Sequence, residues 1–141
     1  MILKPSRSTI EKEIAIRSAE YGVDCAIALA QCKAESSFNP SALNMASKCI
    51  GLFQLQAGTA ADMGVDPYDW QGNIRGGMHY MQLMLKRFEG DYEKALAAYN
   101  WGPANLSRLL KKTSGNTRIW KRGLPIETQN YITKILKDHH E

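Results

Sequence analysis

Cysteines and long apolar runs are scarce in this sequence, and each shortage excludes a class of protein. The three cysteines, an odd number, do not make a disulfide framework. Cys25 and Cys32 are predicted on one helix, about 10 Å apart along its axis, which is beyond the reach of a disulfide, so we expect buried thiols. No run approaches the roughly 20 apolar residues that span a bilayer, so we expect no membrane insertion.

Signals for metal binding and for export are missing as well. Cys49 has no CxxC partner and no ligand spacing with the histidines, which are His79, His139 and His140, so we predict no metal and no other cofactor. Residues 1–15 lack an apolar segment followed by a cleavage site, so we predict no signal peptide. The chain is then a mature fragment, or a protein that is released by host lysis or carried in a virion.

The composition is that of one ordinary globular domain. With 141 residues, of which 44% are hydrophobic and 23% charged, the chain is long enough to bury a core without disulfides or a structural metal. It contains no internal repeat, low-complexity tract or linker. We therefore predict a single domain over residues 1–141 that acts as a monomer.

Apolar residues recur at helical spacing along most of the chain. The predicted helices cover, approximately, Ser8 to Tyr21, Cys25 to Ser37, Ala57 to Met63, Trp70 to Phe88, Tyr92 to Tyr99, Pro103 to Leu110 and the segment after Pro125 to Lys137. Alternation between Cys49 and Gln56 leaves room for a small hairpin or irregular sheet around residues 47–56. The predicted fold class is therefore mainly α, a compact helical domain with at most that small sheet.

Short-range signals mark the ends of the first two helices. Ser8 followed by Glu11 predicts a capping box at the first start, and Asp24 is expected to cap the second helix. The dipeptide Asn39-Pro40 is expected to stop the second helix, because the residue before proline avoids the helical region.

Among the acidic residues, Glu35 has a predicted position that is unusual for a charged side chain. Near the C-terminal end of the second helix, it shares a face of small or weakly polar residues with Ala28, Gln31 and Cys32. The negative end of the helix dipole and partial burial both favour its protonated form, so we predict a raised pKa, as a general acid near neutral pH requires. From its position alone, a glutamate that simply faces water is the favoured alternative.

A second catalytic carboxylate, which most glycoside-cleaving enzymes use, is not evident. Residues 36–61 contain no Asp or Glu. The next acidic residues, Asp62, Asp66 and Asp69, are better explained as helix-start or turn residues.

Four segments of the sequence occur in a recognisable order: ESSFNPSA at 35–42, GLFQLQAGTA at 51–60, ALAAYNWGP at 95–103 and LPIETQNYI at 124–132. They resemble the four ordered motifs of the soluble lytic transglycosylase domain, a lysozyme-like domain related to goose-type lysozyme. The match in order and spacing extends from about Ala28 to Ile135. Any one motif is weak, but four in register favour this family strongly.

The resemblance implies a cleft between helical lobes that binds peptidoglycan, the glycan of alternating N-acetylglucosamine and N-acetylmuramic acid. Glu35 matches the family's catalytic glutamate. In that family it protonates the leaving glycosidic oxygen and then, as the conjugate base, deprotonates the muramyl 6-hydroxyl, which attacks its own anomeric carbon. The product is a 1,6-anhydro end, and the internal hydroxyl makes a second carboxylate unnecessary.

The same resemblance assigns further residues to substrate binding, and these are Ser36, Phe53, Gln54, Tyr99, Asn100 and Tyr131. Alternatives stay open for three of them, because Ser36 could bond its own helix backbone and the two tyrosines could pack in the core. Phe53 stands where the family often has methionine and is expected to keep an apolar platform. Trp101 replaces a usual small residue, which puts the width of the predicted subsite in question.

Two other functions stay open. A hydrolytic muramidase on the same fold would use water, and a catalytically silent module would only bind the wall. The lack of a carboxylate in residues 36–61 argues against the first, and the retained Glu35, Gln54 and Tyr99 argue against the second. Without a signal peptide or a wall-targeting domain, we expect a phage or prophage enzyme, such as an endolysin, that is delivered by host lysis or within a virion and acts on the cell wall in the periplasm. A domain of a larger protein is the alternative.

Positive charge is unevenly placed along the chain, whose net charge is +4. Residues 108–126 include no acidic residue and six basic ones, which are Arg108, Lys111, Lys112, Arg118, Lys121 and Arg122. A solvated face is the favoured interpretation, and contact with the carboxylates and phosphates of a bacterial wall is the alternative. No nucleic-acid reader motif accompanies the segment, so we expect no nucleic-acid partner.

Overall fold

Helices make up most of the structure, a computed structural model that describes residues 4–114 and 116–137, with the backbone alone at 117 and 118. The helices of this part are α1 (Arg7–Tyr21), α2 (Cys25–Ser36), α3 (Ala57–Asp62), α4 (Trp70–Arg87), α5 (Tyr92–Trp101), α6 (Pro103–Lys112), α7 (Thr117–Arg122) and α8 (Ile126–Leu136). The predicted fold class, mainly α, is confirmed. Among the described helices, none has both the length and the hydrophobicity needed to cross a membrane.

The chain divides into two compact units, Met1–Gln82 and Leu83–Glu141, with the boundary inside α4. In the first unit α1 packs on α2, and in the second unit α5 packs on α6 and α8. Each unit has its own buried apolar side chains, which include Ile10, Ile14, Leu52 and Met78 in the first and Leu96, Leu106, Trp120 and Ile135 in the second. A single domain over residues 1–141 stays a prediction.

The start of α1 differs from the prediction by one or two residues. The Ser6 hydroxyl accepts a hydrogen bond from the Thr9 N–H at 3.1 Å and caps the helix. The predicted capping box is therefore wrong, because Ser8 already lies inside the helix and Glu11 pairs with Arg7 at 3.1 Å. Two serines close together offered the same local signal, and the first of them caps the helix.

The second helix begins where predicted and ends within one residue of its predicted end, but Ser37 rather than Asn39-Pro40 stops it. The Asp24 carboxylate caps α2 by accepting a hydrogen bond from the helix N–H three residues further on, at 2.9 Å. Ser37, in the left-handed conformation with φ 53°, ends the helix before Asn39-Pro40 is reached. Glu35 consequently lies in the last turn of α2.

The later helices confirm the prediction with small changes of boundary, except for one that was missed. Helix α5 extends to Trp101 and α6 to Lys112, each about one half-turn beyond the predicted end. Helix α7 was not predicted. Its apolar residues Ile119 and Trp120 are adjacent, so no helical repeat is present to be recognised.

The sheet is small and begins before the predicted region. Strand β1 (Leu43–Asn44) pairs antiparallel with β2 (Cys49–Ile50), and Ile50 forms a further bridge with Leu55. The predicted region of residues 47–56 therefore supplies β2 and the bridge but not β1. Both residues of β1 are exposed, so this strand has no alternation of buried and exposed positions.

The turn of residues 50–54, which follows β2, is held by the buried side chain of Asn73 on α4. The Asn73 side-chain oxygen accepts a hydrogen bond from the Phe53 N–H at 2.8 Å. Its amide nitrogen donates to the Ile50 carbonyl at 2.8 Å and to the Pro67 carbonyl at 2.9 Å. One fully buried side chain thus satisfies three backbone groups and fixes the 50–54 turn on α4.

All three cysteines are free thiols. Cys32 is fully buried, as predicted, whereas Cys25 and Cys49 are half-buried, so the expectation of a buried thiol at Cys25 is wrong. Burial, with a smaller contribution from the negative charge of Glu35, raises the pKa of the Cys32 thiol to about 12. This thiol is therefore protonated, and inert as a nucleophile, near neutral pH.

Replacing Asn73 by alanine removes three hydrogen bonds. The Ile50 carbonyl keeps its bond from the Leu55 N–H, whereas the Phe53 N–H and the Pro67 carbonyl lose the bond that the side chain made. Since each unsatisfied buried group costs about 1–3 kcal/mol, we expect Asn73→Ala to lower the free energy of unfolding in urea by about 2 kcal/mol or more. The matched control is Asn130→Ala, at an exposed position of α8, for which we expect a change within about 0.5 kcal/mol. Equal stability of the two variants would contradict the bracing role of Asn73.

The three thiols should react at different rates. Because the thiolate is the reactive form, we expect iodoacetamide at about pH 8 to label Cys25 and Cys49 of the folded protein and to leave Cys32 unmodified, as measured by peptide mass spectrometry. In denaturant all three should be labelled. Labelling of Cys32 as fast as the other two would contradict its burial.

Since burial raises the pKa of the Cys32 thiol from 9.0 to about 12, the contribution of this thiol to stability is present below pH 9 and is lost as the pH rises towards 12.

Candidate active site

Glu35 is half-buried in the last turn of α2. The helix face predicted for it is confirmed, because Ala28, Gln31 and Cys32 are all fully buried. The charge of Glu35 contributes to the raised pKa of the Cys32 thiol, so the carboxylate lies close to this buried face. A carboxylate in this position is partly shielded from water, yet accessible.

The Ser36 hydroxyl connects the end of α2 to the 50–54 turn. It donates to the Leu52 carbonyl at 2.9 Å, and it also lies 3.2 Å from the Cys32 carbonyl of its own helix. Its single proton is thus directed at two backbone acceptors, and only its lone pairs are left for a ligand. Because Ser36 follows Glu35 directly, this contact holds the turn beside the carboxylate-bearing end of α2.

Gln54 braces the same turn from within. Its backbone is left-handed, with φ 49°, and its side-chain nitrogen donates to the Gly51 carbonyl at 2.9 Å and to the Ala42 carbonyl at 3.3 Å. Both N–H donors are therefore used inside the protein. The side-chain oxygen is the group that Gln54 can offer to a ligand.

Phe53 is placed differently from its prediction as an apolar platform for substrate. The side chain is fully buried, and a Cβ added at Gly77 of α4 would lie 2.7 Å from it. The ring packs on the backbone of α4, where only a glycine leaves room. We correct the prediction accordingly: Phe53 supports the 50–54 turn from behind and presents no face for a glycan.

Asn73 and Gly51 complete this turn, and the role of Asn73 was missed in the sequence. A Cβ at Gly51 would lie 2.5 Å from the Asn73 side-chain nitrogen, and Gly51 has φ +78°, so glycine is required for two reasons. Asn73 precedes the buried Ile74 and lies four residues before the buried Gly77. An amide beside apolar helix positions is the signal that could have identified it.

The remaining predicted residues belong to the second unit. Asn100, near the end of α5, accepts a hydrogen bond from the Thr128 hydroxyl of α8 at 2.8 Å through its side-chain oxygen. Tyr99 is half-buried, and Tyr131 is 8% exposed on α8. The low exposure of Tyr131 agrees with the alternative that its side chain packs in the core. Contacts of Tyr99, Asn100 and Tyr131 with substrate stay predictions.

The acidic residues that follow Glu35 in the first unit are used for local structure or lie at a helix end. Asp66 accepts a hydrogen bond from the Tyr68 N–H at 2.9 Å in a turn, and Asp69 accepts from the Gly72 N–H at 3.1 Å at the start of α4, as predicted. Asp62 is the last residue of α3, so the prediction of a helix-start or turn residue is wrong at this position.

Metal ligands do not cluster in the described part of the chain. There, no group of three or more His, Cys, Asp and Glu side chains could hold an ion. His139 and His140 lie outside the described residues.

The chain is similar in sequence to enzymes that act on murein. The family model described as the Transglycosylase SLT domain matches residues 13–121. Membrane-bound lytic murein transglycosylase D of Escherichia coli (strain K12) is 31% identical over 112 residues, which cover 72% of this chain and 25% of that protein. Membrane-bound lytic murein transglycosylase F of Yersinia pestis is 35% identical over 108 residues, which cover 67% of this chain and 22% of that protein.

Two solved structures share the fold. The 70 kDa soluble lytic transglycosylase of Escherichia coli matches with a TM-score of 0.80 and 24% identity, over 89% of this chain and 22% of that one. The lytic transglycosylase Slt from Pseudomonas aeruginosa, solved as an inactive glutamate-to-glutamine mutant, matches with a TM-score of 0.78 and 25% identity, over the same shares. The predicted lysozyme-like fold is confirmed.

The chain spans about a quarter of the length of the curated relatives it matches. The family model nevertheless covers more than half of the chain, and three of the four motifs lie within the matched residues. The chain therefore belongs to the transglycosylase SLT domain family.

Proposed function

We propose that this chain cleaves the β-1,4 bond between N-acetylmuramic acid and N-acetylglucosamine in peptidoglycan and forms 1,6-anhydromuramyl ends. Family membership and the names of the relatives, which are lytic murein transglycosylases, support this reaction class. The observation that carries the proposal is the position of Glu35, half-buried at the end of α2 beside the turn that Ser36 holds.

Glu35 acts first as a general acid. Its carboxyl group donates a proton to the glycosidic oxygen while the bond from that oxygen to the muramyl anomeric carbon breaks, and the electron pair leaves with the N-acetylglucosamine oxygen. The N-acetyl group of the muramyl residue stabilises the oxocarbenium-like centre that forms. Glu35 is left as a carboxylate beside the reacting ring.

The same carboxylate then acts as the base. It takes the proton of the muramyl 6-hydroxyl, whose oxygen bonds to the anomeric carbon and closes the anhydro ring. Glu35 regains the proton that it gave, so the cycle balances without water. Because the attacking hydroxyl belongs to the same sugar, its orientation is already favourable.

The distribution of carboxylates supports a single acid/base. Residues 36–61 carry none, and the side chains of Asp66 and Asp69 accept backbone hydrogen bonds. A hydrolase of the common type needs a second carboxylate about 5 to 10 Å from the first to activate water or attack the sugar. This distribution favours the internal hydroxyl over a hydrolytic muramidase.

The polar residues of the first two motifs serve the reaction chiefly by fixing the position of the 50–54 turn beside Glu35. Ser36 and Gln54 use their donor hydrogens on the backbone, so the Gln54 oxygen is the group we assign to an N-acetyl N–H or a sugar hydroxyl. Tyr99, Asn100 and Tyr131 are assigned to glycan binding by the resemblance of their motifs.

Cutting glycan strands weakens a bacterial wall, so we also propose that the activity is bacteriolytic. The partner is the peptidoglycan strand, the place of action is the wall, and the active form is a monomer. A phage endolysin has this activity, and host lysis would bring the enzyme to its substrate.

Glu35→Gln preserves the size of the side chain but removes the proton donor. We expect release of soluble muropeptides from purified sacculi to fall by at least about 10²-fold, with the unfolding transition unchanged. The inactive glutamate-to-glutamine mutant of the Pseudomonas enzyme supports this direction.

The matched control is Glu127→Gln, at an exposed position of α8, which should keep the wild-type rate. Near-normal release by Glu35→Gln, with the fold intact, would overturn the assignment of Glu35.

A further inference from the structure

A pocket of about 590 Å³ lies in the second unit. Its size falls within the range of about 300–1,000 Å³ that is usual for small-ligand sites. Its lining comes from the end of α5, from α6 and from the position after α7. It includes Trp101, Arg108, Leu109, Lys111, Lys112 and Gly123. None of them takes part in the reaction proposed above.

Three cations and no acidic side chain line this pocket. Arg108, Lys111 and Lys112 are exposed, and within the described residues none of them forms an ion pair. Lys121, from the same basic segment, differs because it pairs with Glu93 at 2.8 Å. Of the described cations of the basic segment that form no ion pair, three line this pocket, and Arg122 is the fourth. The side chain of Arg118 lies outside the described part of the chain.

Arg108 is oriented before any ligand arrives. The Asn105 side-chain oxygen accepts a hydrogen bond from the Arg108 guanidinium, and the Asn105 side-chain nitrogen donates to the Trp101 carbonyl at 2.7 Å. A guanidinium held in this way loses less conformational entropy on binding. Its remaining N–H groups can make the two-point contact that a carboxylate accepts.

The pocket also has an apolar side. Trp101, which stands where the family usually has a small residue, is half-buried and lines the pocket next to the cations. A Cβ at Gly123 would lie 2.5 Å from a methyl carbon of Leu109, so glycine leaves this side open. An indole face packs well against the C–H groups of a sugar ring.

We propose that this pocket binds an acidic sugar: a pyranose ring that carries a carboxylate substituent, as N-acetylmuramic acid does through its lactyl group. The indole of Trp101 contacts the ring, and Arg108 with the two lysines binds the carboxylate. The pocket is then a glycan-binding site built from side chains other than Glu35 and the residues assigned to glycan binding by the motifs. The choice of sugar rests on the proposed function, whereas the ligand chemistry rests on the charge and the indole of the pocket.

Titrations of the full chain followed by nuclear magnetic resonance test this proposal. The probes are the disaccharide of N-acetylglucosamine and N-acetylmuramic acid, the neutral disaccharide chitobiose, and inorganic phosphate. We expect the acidic disaccharide to shift the Trp101 indole N–H and Gly123 amide signals, with an affinity at least about tenfold above that of chitobiose and of phosphate. Equal affinity for phosphate would mean a bare anion site, and unchanged signals would mean no site. Either result would overturn the proposal.

Two triple variants with the same change of net charge provide the control. Arg108→Gln with Lys111→Gln and Lys112→Gln should lose the preference for the acidic disaccharide. Lys12→Gln with Lys86→Gln and Lys134→Gln, which removes three exposed lysines elsewhere, should keep it. Equal weakening in both variants would show a general charge effect and refute the pocket.

Failure of this site and failure of the proposed function give different results. Signal shifts at Trp101 in a protein that does not cleave sacculi would refute the proposed reaction and leave the pocket in place. Cleavage without signal shifts would refute the pocket alone.

Discussion

The buried amide of Asn73 holds the 50–54 turn, and the candidate site of the first unit is built on that turn. Two of its three hydrogen bonds are to the turn, at the Phe53 N–H and the Ile50 carbonyl, and the third is to the Pro67 carbonyl. The approach is possible because Gly51 has no side chain. The Ser36 hydroxyl then ties the turn to the last residues of α2. Hydrogen bonds inside the protein, from Asn73 and from Ser36, therefore fix the 50–54 turn beside Glu35.

This arrangement uses most of the polar groups of the first two motifs for structure, which limits what is left for chemistry. The Ser36 proton and both N–H donors of Gln54 point at backbone carbonyls. Ser37, Phe38 and Gln54 have left-handed backbones with φ 53°, 61° and 49°. Such conformations in residues other than glycine cost about 1–3 kcal/mol each and persist where surrounding contacts impose them. Glu35 is left as the proposed acid/base, and a reaction in which the substrate supplies its own nucleophile needs no second carboxylate.

Local signals in the sequence predicted most of the helices and the surroundings of Glu35. Contacts between residues far apart in the sequence were not predicted. Helix periodicity and the Asp24 cap depend on neighbours within four positions, so both could be recognised. The burial of Phe53 depends on Gly77, and the role of Asn73 depends on a turn about 20 residues earlier in the chain. A single sequence does not show which residues so far apart are in contact. Helix α7 and strand β1 are too short for a period to appear. The roles of the motif residues came from the resemblance, not from periodicity.

The proposed mechanism assigns both proton transfers to Glu35 and makes the muramyl 6-hydroxyl, rather than water, the nucleophile. Digestion of purified sacculi in water enriched in the heavy oxygen isotope, followed by mass spectrometry of the released muropeptides, separates these two nucleophiles. The mechanism predicts muramyl ends that are lighter than reducing ends by one water molecule and contain no heavy oxygen. Reducing muramyl ends that carry one heavy oxygen atom would show that water attacks the anomeric carbon, and they would contradict the mechanism.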